Sequence, residues 1–297
     1  MKRVILVVLL VAIAGVAGIV RSHSIRVASI SELPQIINGE SDQSGETRQE
    51  IRKSYDLSPC ARVEVSGING AVKVETSDSK TAEVYIERTG KSREALNRRK
   101  VTIQSSPTSL TIHGEEGDVG FFARFFCSNP SERVTLRLPR QISLLTKGVN
   151  GSVIVGELEG AVEVYGVNGK VDIGQASGSA QFKGINGNIS VALKQIENEG
   201  VRIAGVNGNI ELRLDSGVNA DLEAHGMNGS VRSDLPEVQV QKSDHGNKYY
   251  AHIGSGGSQI SVAGVNGNVR LTRAMTVSTG ITTEHREPES QIKSELQ

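Results

Sequence analysis

The sequence predicts an all-β protein whose main domain is a parallel, β-helix-like solenoid formed by a single chain. Three observations predict this fold: a Gly-x-Asn-Gly turn occurs seven times, apolar residues alternate on both sides of it, and the central copies recur every 18 or 21 residues. A fixed period of about 20 residues is typical of solenoids, in which each repeat buries its apolar face only by stacking on its neighbours. The remaining predicted element is a short hydrophobic helix at the N-terminus.

The repeated turn is flanked by two predicted strands. Around the copy at Asn168, Val162 and Val164 precede the first glycine by four and two positions, and Val171 and Ile173 follow the second glycine by two and four. Alternation with a period of two indicates a strand with one buried face. Stacking of the repeats should bring the turn asparagines into one column, which consists of Asn69, Asn150, Asn168, Asn186, Asn207, Asn228 and Asn266.

Asparagine suits such a column because it tolerates the left-handed backbone conformation and its amide can bond nearby backbone groups. An Asn-Gly pair between alternating strands is also a strong signal for a hairpin with a type I′ turn. The solenoid is favoured because the glycines at 148, 151, 156 and 160 all recur 18 residues later, and a hairpin does not require a second turn in register. Stacking then predicts one buried column of Val153, Val171, Ile189, Ile210 and Val231.

The N-terminal region predicts export. Lys2 and Arg3 precede seventeen residues, 4–20, that carry no polar side chain. This run is longer than most signal-peptide cores and just long enough to span a membrane, and the basic residues favour a cytoplasmic end. We therefore expect residues 1–21 to be an uncleaved inner-membrane anchor, with the body facing the periplasm or the cell exterior. Cleavage after Ala17, which would release a secreted protein, is the alternative.

The rest of the chain divides into three predicted segments. Residues 22–58 are polar and predict a linker, residues 59–273 hold the solenoid, and residues 274–297 predict a disordered tail. Within the solenoid, residues 91–132 lack the repeat and predict an insertion or cap. Four of the five phenylalanines lie in residues 120–130, which we interpret as a plug over the open end of the solenoid; an exposed apolar patch is the alternative.

The two cysteines, Cys60 and Cys127, flank the segment that lacks the repeat. In an exported chain, a pair of cysteines predicts one disulfide, here between the start of the solenoid and the insertion. Two unpaired buried thiols are the alternative, because the sequence does not place their Cα atoms within bonding range.

Several stretches carry a family resemblance. They include "ARVEVSGINGAVKVETSD" at 61–78, "RVTLRLPRQISLLTKGVNGSV" at 133–153, the series of Gly-x-Asn-Gly turns, and "HIGSGGSQISVAGVNGNVRL" at 252–271. Over residues 59–273 the chain resembles exported bacterial domains labelled "putative adhesins", a β-solenoid family of undefined function related to the head domains of auto-transporter adhesins. The resemblance implies a fold and a cell-envelope location, and it implies no catalytic residue.

The sequence offers little catalytic chemistry. Lysine plus arginine and aspartate plus glutamate number 33 each, so there is no basic surplus for nucleic acid. The histidines are scattered, and the chain lacks a phosphate loop, a nucleophile elbow and the regular aspartates of calcium-binding repeats. We therefore predict no catalytic residue, no cofactor and no metal site.

The outward positions of the repeats predict a non-catalytic envelope protein that binds a glycan or another envelope protein, or acts as a scaffold. They carry charged side chains that do not converge on a catalytic set, and we assign a binding face that includes Lys170, Lys183 and Arg202. The alternative from another class is a solenoid enzyme acting on polysaccharide. Acidic and basic side chains gathered in one groove from several repeats would be its signature.

The anchor leads to a first prediction. If residues 1–21 are uncleaved, membrane fractions should retain the full chain, because a hydrophobic span of this length inserts stably. N-terminal sequencing should then begin at or near Met1. A soluble species that starts near Gly18 would contradict the anchor.

Overall fold

The structure is a computed structural model that describes residues 37–38, 46–117, 130–197, 199–244 and 247–274. The predicted N-terminal helix, the phenylalanine-rich segment between 118 and 129 with Cys127, and the C-terminal tail lie outside these ranges. Within them, no helix is long and apolar enough to cross a membrane.

The described residues are almost entirely β-structure, as predicted. In chain order the strands are β1 (Ile37–Asn38), β2 (Thr47–Asp56), β3 (Arg62–Ser66), β4 (Val72–Ser77), β5 (Thr81–Gly90), β6 (Arg99–Ser106), β7 (Ser109–Glu116), β8 (Ser131–Pro139), β9 (Ser143–Val149), β10 (Val153–Leu158), β11 (Val162–Val167), β12 (Val171–Ala176), β13 (Ala180–Asn186), β14 (Ile189–Leu193), β15 (Val201–Asn207), β16 (Ile210–Leu214), β17 (Ala220–His225), β18 (Val231–Ser233), β19 (Val240–Lys242), β20 (Tyr249–Ile253), β21 (Ser258–Asn266) and β22 (Val269–Arg273). One short helix, α1 (Arg93–Asn97), lies between β5 and β6.

The strands form two sheets of eleven strands each. Sheet 1 has the order β1-β2-β5-β8-β4-β10-β12-β14-β16-β22-β18, and sheet 2 has the order β19-β20-β17-β21-β15-β13-β11-β9-β3-β7-β6. Their central strands are parallel, and each Gly-x-Asn-Gly turn joins a strand of sheet 2 to one of sheet 1. We call such a strand-turn-strand unit a rung. The all-β class with two mostly parallel sheets is confirmed.

The buried faces follow the period-two pattern of the sequence. Val153, Val171, Ile189 and Ile210 pair in register and are each at most 1% exposed. The variable residue of each turn is also buried, and this second column consists of Ile68, Val149, Val167, Ile185, Val206, Met227 and Val265. Each rung therefore covers the apolar side chains of the next, which is why no single repeat could fold alone.

The stacking order differs from the chain order at one end. Val269 pairs with Ile210 on one side and with Val231 on the other, so the last rung of the sequence lies inside the stack. The chain makes the outer rung β17–β18 first, returns through the antiparallel strands β19 and β20, and then inserts β21 and β22. Ile210 and Val231 thus lie in one column, as predicted, but Val269 stands between them. The detour accounts for the 38 residues that separate Gly226 from Gly264.

A second detour, near the N-terminal end, accounts for the 81 residues that separate Gly67 from Gly148, the first glycines of two consecutive turns. After the rung β3–β4, strands β5 to β8 extend both sheets, with β7 parallel to β3 and β8 parallel to β4. Within the predicted insertion 91–132, the described residues thus contribute strands to the sheets. Residues 47–56, which we assigned to the polar linker, instead form β2 along β5. Its charges are tolerated because they lie on an exposed strand, where Arg48 pairs with Glu87 at 2.9 Å.

The turn geometry corrects our account of the asparagines. The first glycine of every turn has φ between 60° and 68°, whereas among the described non-glycine residues only Cys60 has positive φ. The asparagines are therefore not left-handed, and the type I′ hairpin is excluded because it requires positive φ at both central residues. The second glycine serves close approach: a Cβ at Gly208 would lie 2.3 Å from the carbonyl oxygen of Gly187 in the neighbouring rung.

The buried column gives a stability prediction. Ile189→Ala should lower the free energy of unfolding by about 2 to 5 kcal/mol, because Ile189 is 1% exposed and has rungs on both sides. Lys183→Ala should change it by less than about 0.5 kcal/mol, since Lys183 is exposed. Urea unfolding of both variants checks this, and equal losses would refute the assigned faces.

Candidate functional site

The turn asparagines form a continuous ladder of side-chain amides along one edge of the stack. Each Nδ2 donates to the Oδ1 of the neighbouring asparagine at 2.9 to 3.1 Å, in the spatial order Asn228, Asn266, Asn207, Asn186, Asn168, Asn150 and Asn69. Asn69 ends the ladder by donating to the carbonyl oxygen of Pro130 at 2.8 Å. We predicted the column correctly, but these amides bond to one another, whereas we expected bonds to the backbone.

The ladder uses only part of the bonding capacity of each amide. An asparagine side chain has two N–H groups and an oxygen with two lone pairs, and a ladder position inside the column uses one N–H and one lone pair. Asn69 is partly buried, and the other six asparagines of the ladder are exposed. The ladder is therefore both a structural element and a row of oriented polar groups.

A second column of polar side chains was not anticipated from the sequence. Asn188 Oδ1 accepts the backbone N–H of Asn209 at 2.9 Å, and Asn209 Oδ1 accepts that of Asn268 at 3.0 Å. The Oδ1 of Asn268 in turn accepts from the backbone N–H and hydroxyl of Ser230. The signal was present in the sequence, because these residues directly follow the second glycine of their turns.

The predicted binding face is divided between the two sheets. Lys170 stands directly before β12 in sheet 1, where its Nζ lies 2.7 Å from Asp172. The same carboxylate binds Arg213 at 3.2 Å, so the charge of Lys170 belongs to a local ion cluster. Lys183 and Arg202 lie on strands of sheet 2. The structure therefore brings Lys183 and Arg202 together and separates Lys170 from them.

Lys183 and Arg202 differ from two charged pairs on the same sheet. Nearby, Lys147 pairs with Glu64 at 2.7 Å and Arg62 pairs with Glu163 at 3.3 Å. Lys183 and Arg202 lie on adjacent, paired strands and are exposed, and neither makes an ion pair or side-chain hydrogen bond with the described part of the chain. Together they form a small cationic site on sheet 2.

A buried ionic cluster closes the N-terminal end of the ladder. Glu132 is 0% exposed; its carboxylate accepts the backbone N–H of Asn69 and two hydrogen bonds from Arg99. Arg99 also donates to the carbonyl oxygen of Gly67 at 2.5 Å. Arg88 lies nearby and donates to two carbonyl oxygens; burial lowers the pKa of its guanidinium, and the charge of Glu132 opposes that shift. This arrangement supplies the first turn with the partners that a preceding rung would provide.

A cleft of about 250 Å³ lies at the opposite edge, where β4, β8 and β10 end. Arg140 lines it and pairs with Asp78 at 2.9 Å and with Glu157; the hydrogen bond that Arg140 donates to Asp78 raises the pKa of Arg140. These carboxylates are exposed, and no histidine lines the cleft. Such a set is a saturated surface ion cluster and does not resemble a paired acid and base.

The remaining candidates are single residues or pairs, among them Ser66 with His113 at 2.9 Å. Cys60 is exposed near the cleft, and its predicted partner Cys127 lies outside the described residues, so the disulfide stays a prediction. His252 bonds to Asp221 at 2.7 Å; the backbone N–H of Gly257 and then His252 lower the pKa of the Asp221 carboxyl. Among the described residues no three His, Cys, Asp or Glu side chains are grouped to hold a metal ion.

Comparison with known proteins gives one family match and several solved structures. Residues 156–272 match the model of the family described as Toastrack DUF4097. The match confirms the family resemblance over a shorter range than residues 59–273. The comparison with curated proteins gives no match.

Solved structures that match this chain come from Clostridium, Bacteroides and Parabacteroides species and share little sequence with it. A "putative cell adhesion protein" from Clostridium sporogenes is 11% identical, with 75% of this chain and 99% of that chain covered and a TM-score of 0.39. "Putative adhesins" from Bacteroides fragilis and Parabacteroides merdae are each 13% identical. The match to the Bacteroides fragilis protein covers 75% of this chain and 96% of that chain, with a TM-score of 0.32. The match to the Parabacteroides merdae protein covers 74% of this chain and 95% of that chain, with a TM-score of 0.31. No catalytic family is named among them.

The buried cluster gives a second stability prediction. Glu132→Ala should cost about 3 to 5 kcal/mol, because it leaves the guanidinium of Arg99 buried without its counter-charge. The matched change Glu64→Ala breaks an ion pair whose side chains are partly exposed and should cost at most about 1 kcal/mol. Chemical denaturation of both variants measures the difference, and similar costs would contradict a special role for the cluster.

Proposed function

We propose that this protein, whose residues 156–272 match the Toastrack DUF4097 family, is a non-catalytic adhesin-like protein of the bacterial cell envelope. In this proposal its β-solenoid binds an envelope glycan or protein through the outer face of sheet 2. Residues 1–21 tether it to the inner membrane, facing the periplasm or the cell exterior, or are cleaved to release it.

The observation that carries the proposal is the cationic site of Lys183 and Arg202. In two ion pairs on the same sheet, Arg62 with Glu163 and Lys147 with Glu64, the partners largely neutralise each other's fields at short range. Two exposed cations on neighbouring rungs attract an anionic group and raise its rate of encounter. Lys170, which is already paired with Asp172, contributes much less to such attraction.

The rigidity of the stack supports a binding role. Lys183 and Arg202 project from strands that are hydrogen-bonded on both sides, so the backbone beneath them is ordered before a partner arrives. Pre-organisation lowers the entropy cost of association. By contrast, the described residues hold no cluster in which an acid, a base and a nucleophile meet at bonding distance, which catalysis would need.

A charge-reversal experiment tests the proposal. The purified full chain should bind whole cells or isolated envelope fractions, and the double variant Lys183→Glu, Arg202→Glu should weaken that binding about tenfold or more. The wild-type affinity should fall as salt is added, because the attraction is screened. Binding isotherms at two salt concentrations measure both effects.

Lys170→Glu is the matched control, since it reverses one lysine on the other sheet. It should leave binding close to wild type. Equal weakening by both variants, or no envelope binding at all, would argue against the cationic site. In parallel, turnover of a polysaccharide that persists after removal of contaminating enzymes would overturn the non-catalytic assignment.

A further inference from the structure

Four neighbouring rungs share a pattern of amides around a glycine. Their residues are Asn186–Gly187–Asn188, Asn207–Gly208–Asn209, Asn266–Gly267–Asn268 and Asn228–Gly229–Ser230. We call this surface the amide edge. We propose that the amide edge is a binding site for a neutral, linear polysaccharide, separate from the cationic site of sheet 2.

The fold makes these four rungs adjacent. Asn186 pairs with Asn207, Asn207 with Asn266, and Asn266 with Asn228. In chain order the 228 turn precedes the 266 turn, so the continuity arises only because β21 and β22 insert into the stack. The result is two polar columns that repeat at the strand spacing of about 4.8 Å.

The backbone between the columns is occupied by the stack itself. The N–H groups of Gly187, Gly208 and Gly267 donate to the carbonyls of Asn207, Asn266 and Asn228 at 3.0 to 3.1 Å. These N–H groups are therefore not free to bind a ligand, which leaves the side-chain amides as donors. The glycines let neighbouring rungs approach closely, so both columns continue along the edge without a break.

The second column has the larger unused capacity. The Oδ1 atoms of Asn188 and Asn209 accept backbone N–H groups, but their Nδ2 groups donate to nothing in the described part of the chain. These side chains are exposed, and a bond to the next rung fixes each Oδ1. Their free N–H groups are therefore oriented outwards at little further cost in side-chain entropy.

The chemistry of the edge selects an uncharged, hydroxyl-rich ligand. An amide both donates and accepts, and a sugar hydroxyl does the same, so the two are complementary. The twelve positions of the amide edge carry no charge, and an anionic polymer would need cations there. Equal groups repeated along a straight edge suit a linear polymer, whose sugar rings succeed one another at a spacing close to that of the rungs.

An isosteric exchange separates ligand binding from folding. In the double variant Asn188→Asp, Asn209→Asp, a carboxylate oxygen still accepts the N–H of Asn209 or Asn268, but the outward N–H groups are lost. Binding of the full chain to soluble linear glucans and mannans should weaken about tenfold or more. Affinity electrophoresis in gels that contain each polymer, with isothermal titration, measures the change.

Two controls separate the loss of the amides from the effect of added charge and from a change elsewhere in the chain. Asn188→Ser, Asn209→Ser removes the amides without adding charge, follows the natural Ser230, and should weaken binding as well. Asn219→Asp makes the same chemical change away from the edge, where Asn219 accepts the N–H of Ser255 at 2.8 Å, and should leave binding intact. Thermal unfolding checks that each variant retains the fold.

The proposal fails if the wild-type chain binds neither linear glucan nor mannan, or if the Asp and Ser double variants bind them as the wild type does. Preference for an anionic polymer over the neutral ones would also overturn it. Envelope binding that still depends on Lys183 and Arg202 would then leave the proposed function standing, so the two failures are distinguishable.

Discussion

The close approach of backbones at the Gly-x-Asn-Gly turns is the constraint on which the rest of the structure depends. At the second glycine of the turn, a neighbouring carbonyl oxygen would lie only 2.4 Å from a Cβ at Gly169 and 2.1 Å from one at Gly267. Any other residue would push the rungs apart. Separation at the turn would in turn break the amide ladder and the register of both sheets, because all three share the same strand spacing. The apolar columns stabilise the stack, but the glycines permit it.

A stack of rungs has two open ends, and this chain closes them with local detours. At one end, Glu132 and Pro130 supply the acceptors that the turn of Asn69 would otherwise find in a preceding rung. At the other, Tyr249 donates to the carbonyl oxygen of Gly229 and Asn247 to that of Met227. In sheet 2, antiparallel strands lie outside the parallel core at both ends, and in sheet 1 they do so at the β1 end, whereas β18 at the other end pairs parallel with β22. The antiparallel strands hinder addition of further parallel rungs at the edges that they cover.

Periodic features of the sequence predicted the periodic part of the fold. The turn at Asn168 and its flanking valines define strand faces, because a side-chain period of two leaves one choice of buried face. The order of rungs was not predictable, since the copies at Asn228 and Asn266 have the same pattern and stack equally well in either order. The strand β2 was missed because its buried side is only partly apolar, and its charges pair across strands. The amide ladder was predicted as a column, but its bonding depends on side-chain geometry that the sequence does not contain.

In the candidate sites, too, the sequence predicts which side chains face outwards but not which side chains they contact. Lys170, Lys183 and Arg202 are all outward, as the alternation predicted, but only the structure reveals that an aspartate neutralises Lys170 and that Lys183 and Arg202 share a sheet. The second amide column could have been found from Asn-Gly-Asn alone, whereas its continuity over four rungs required the inserted strands.

Repetition also limits the kind of chemistry that such a fold performs well. At the turns, each asparagine lies in register with the asparagine of the next rung, so these amides accumulate as rows of equals, whereas the outward strand positions carry different side chains. Catalysis needs unlike groups with different acidities at one point, and among the described residues mixed groups such as Arg140 with Asp78 are simply ion pairs at a strand end. Rows of equal groups instead match a partner that is itself repetitive. The asparagine columns therefore suit recognition of a polymer. The number of rungs in the stack, rather than the acidity of any one residue, sets how many contacts the columns can make with that polymer.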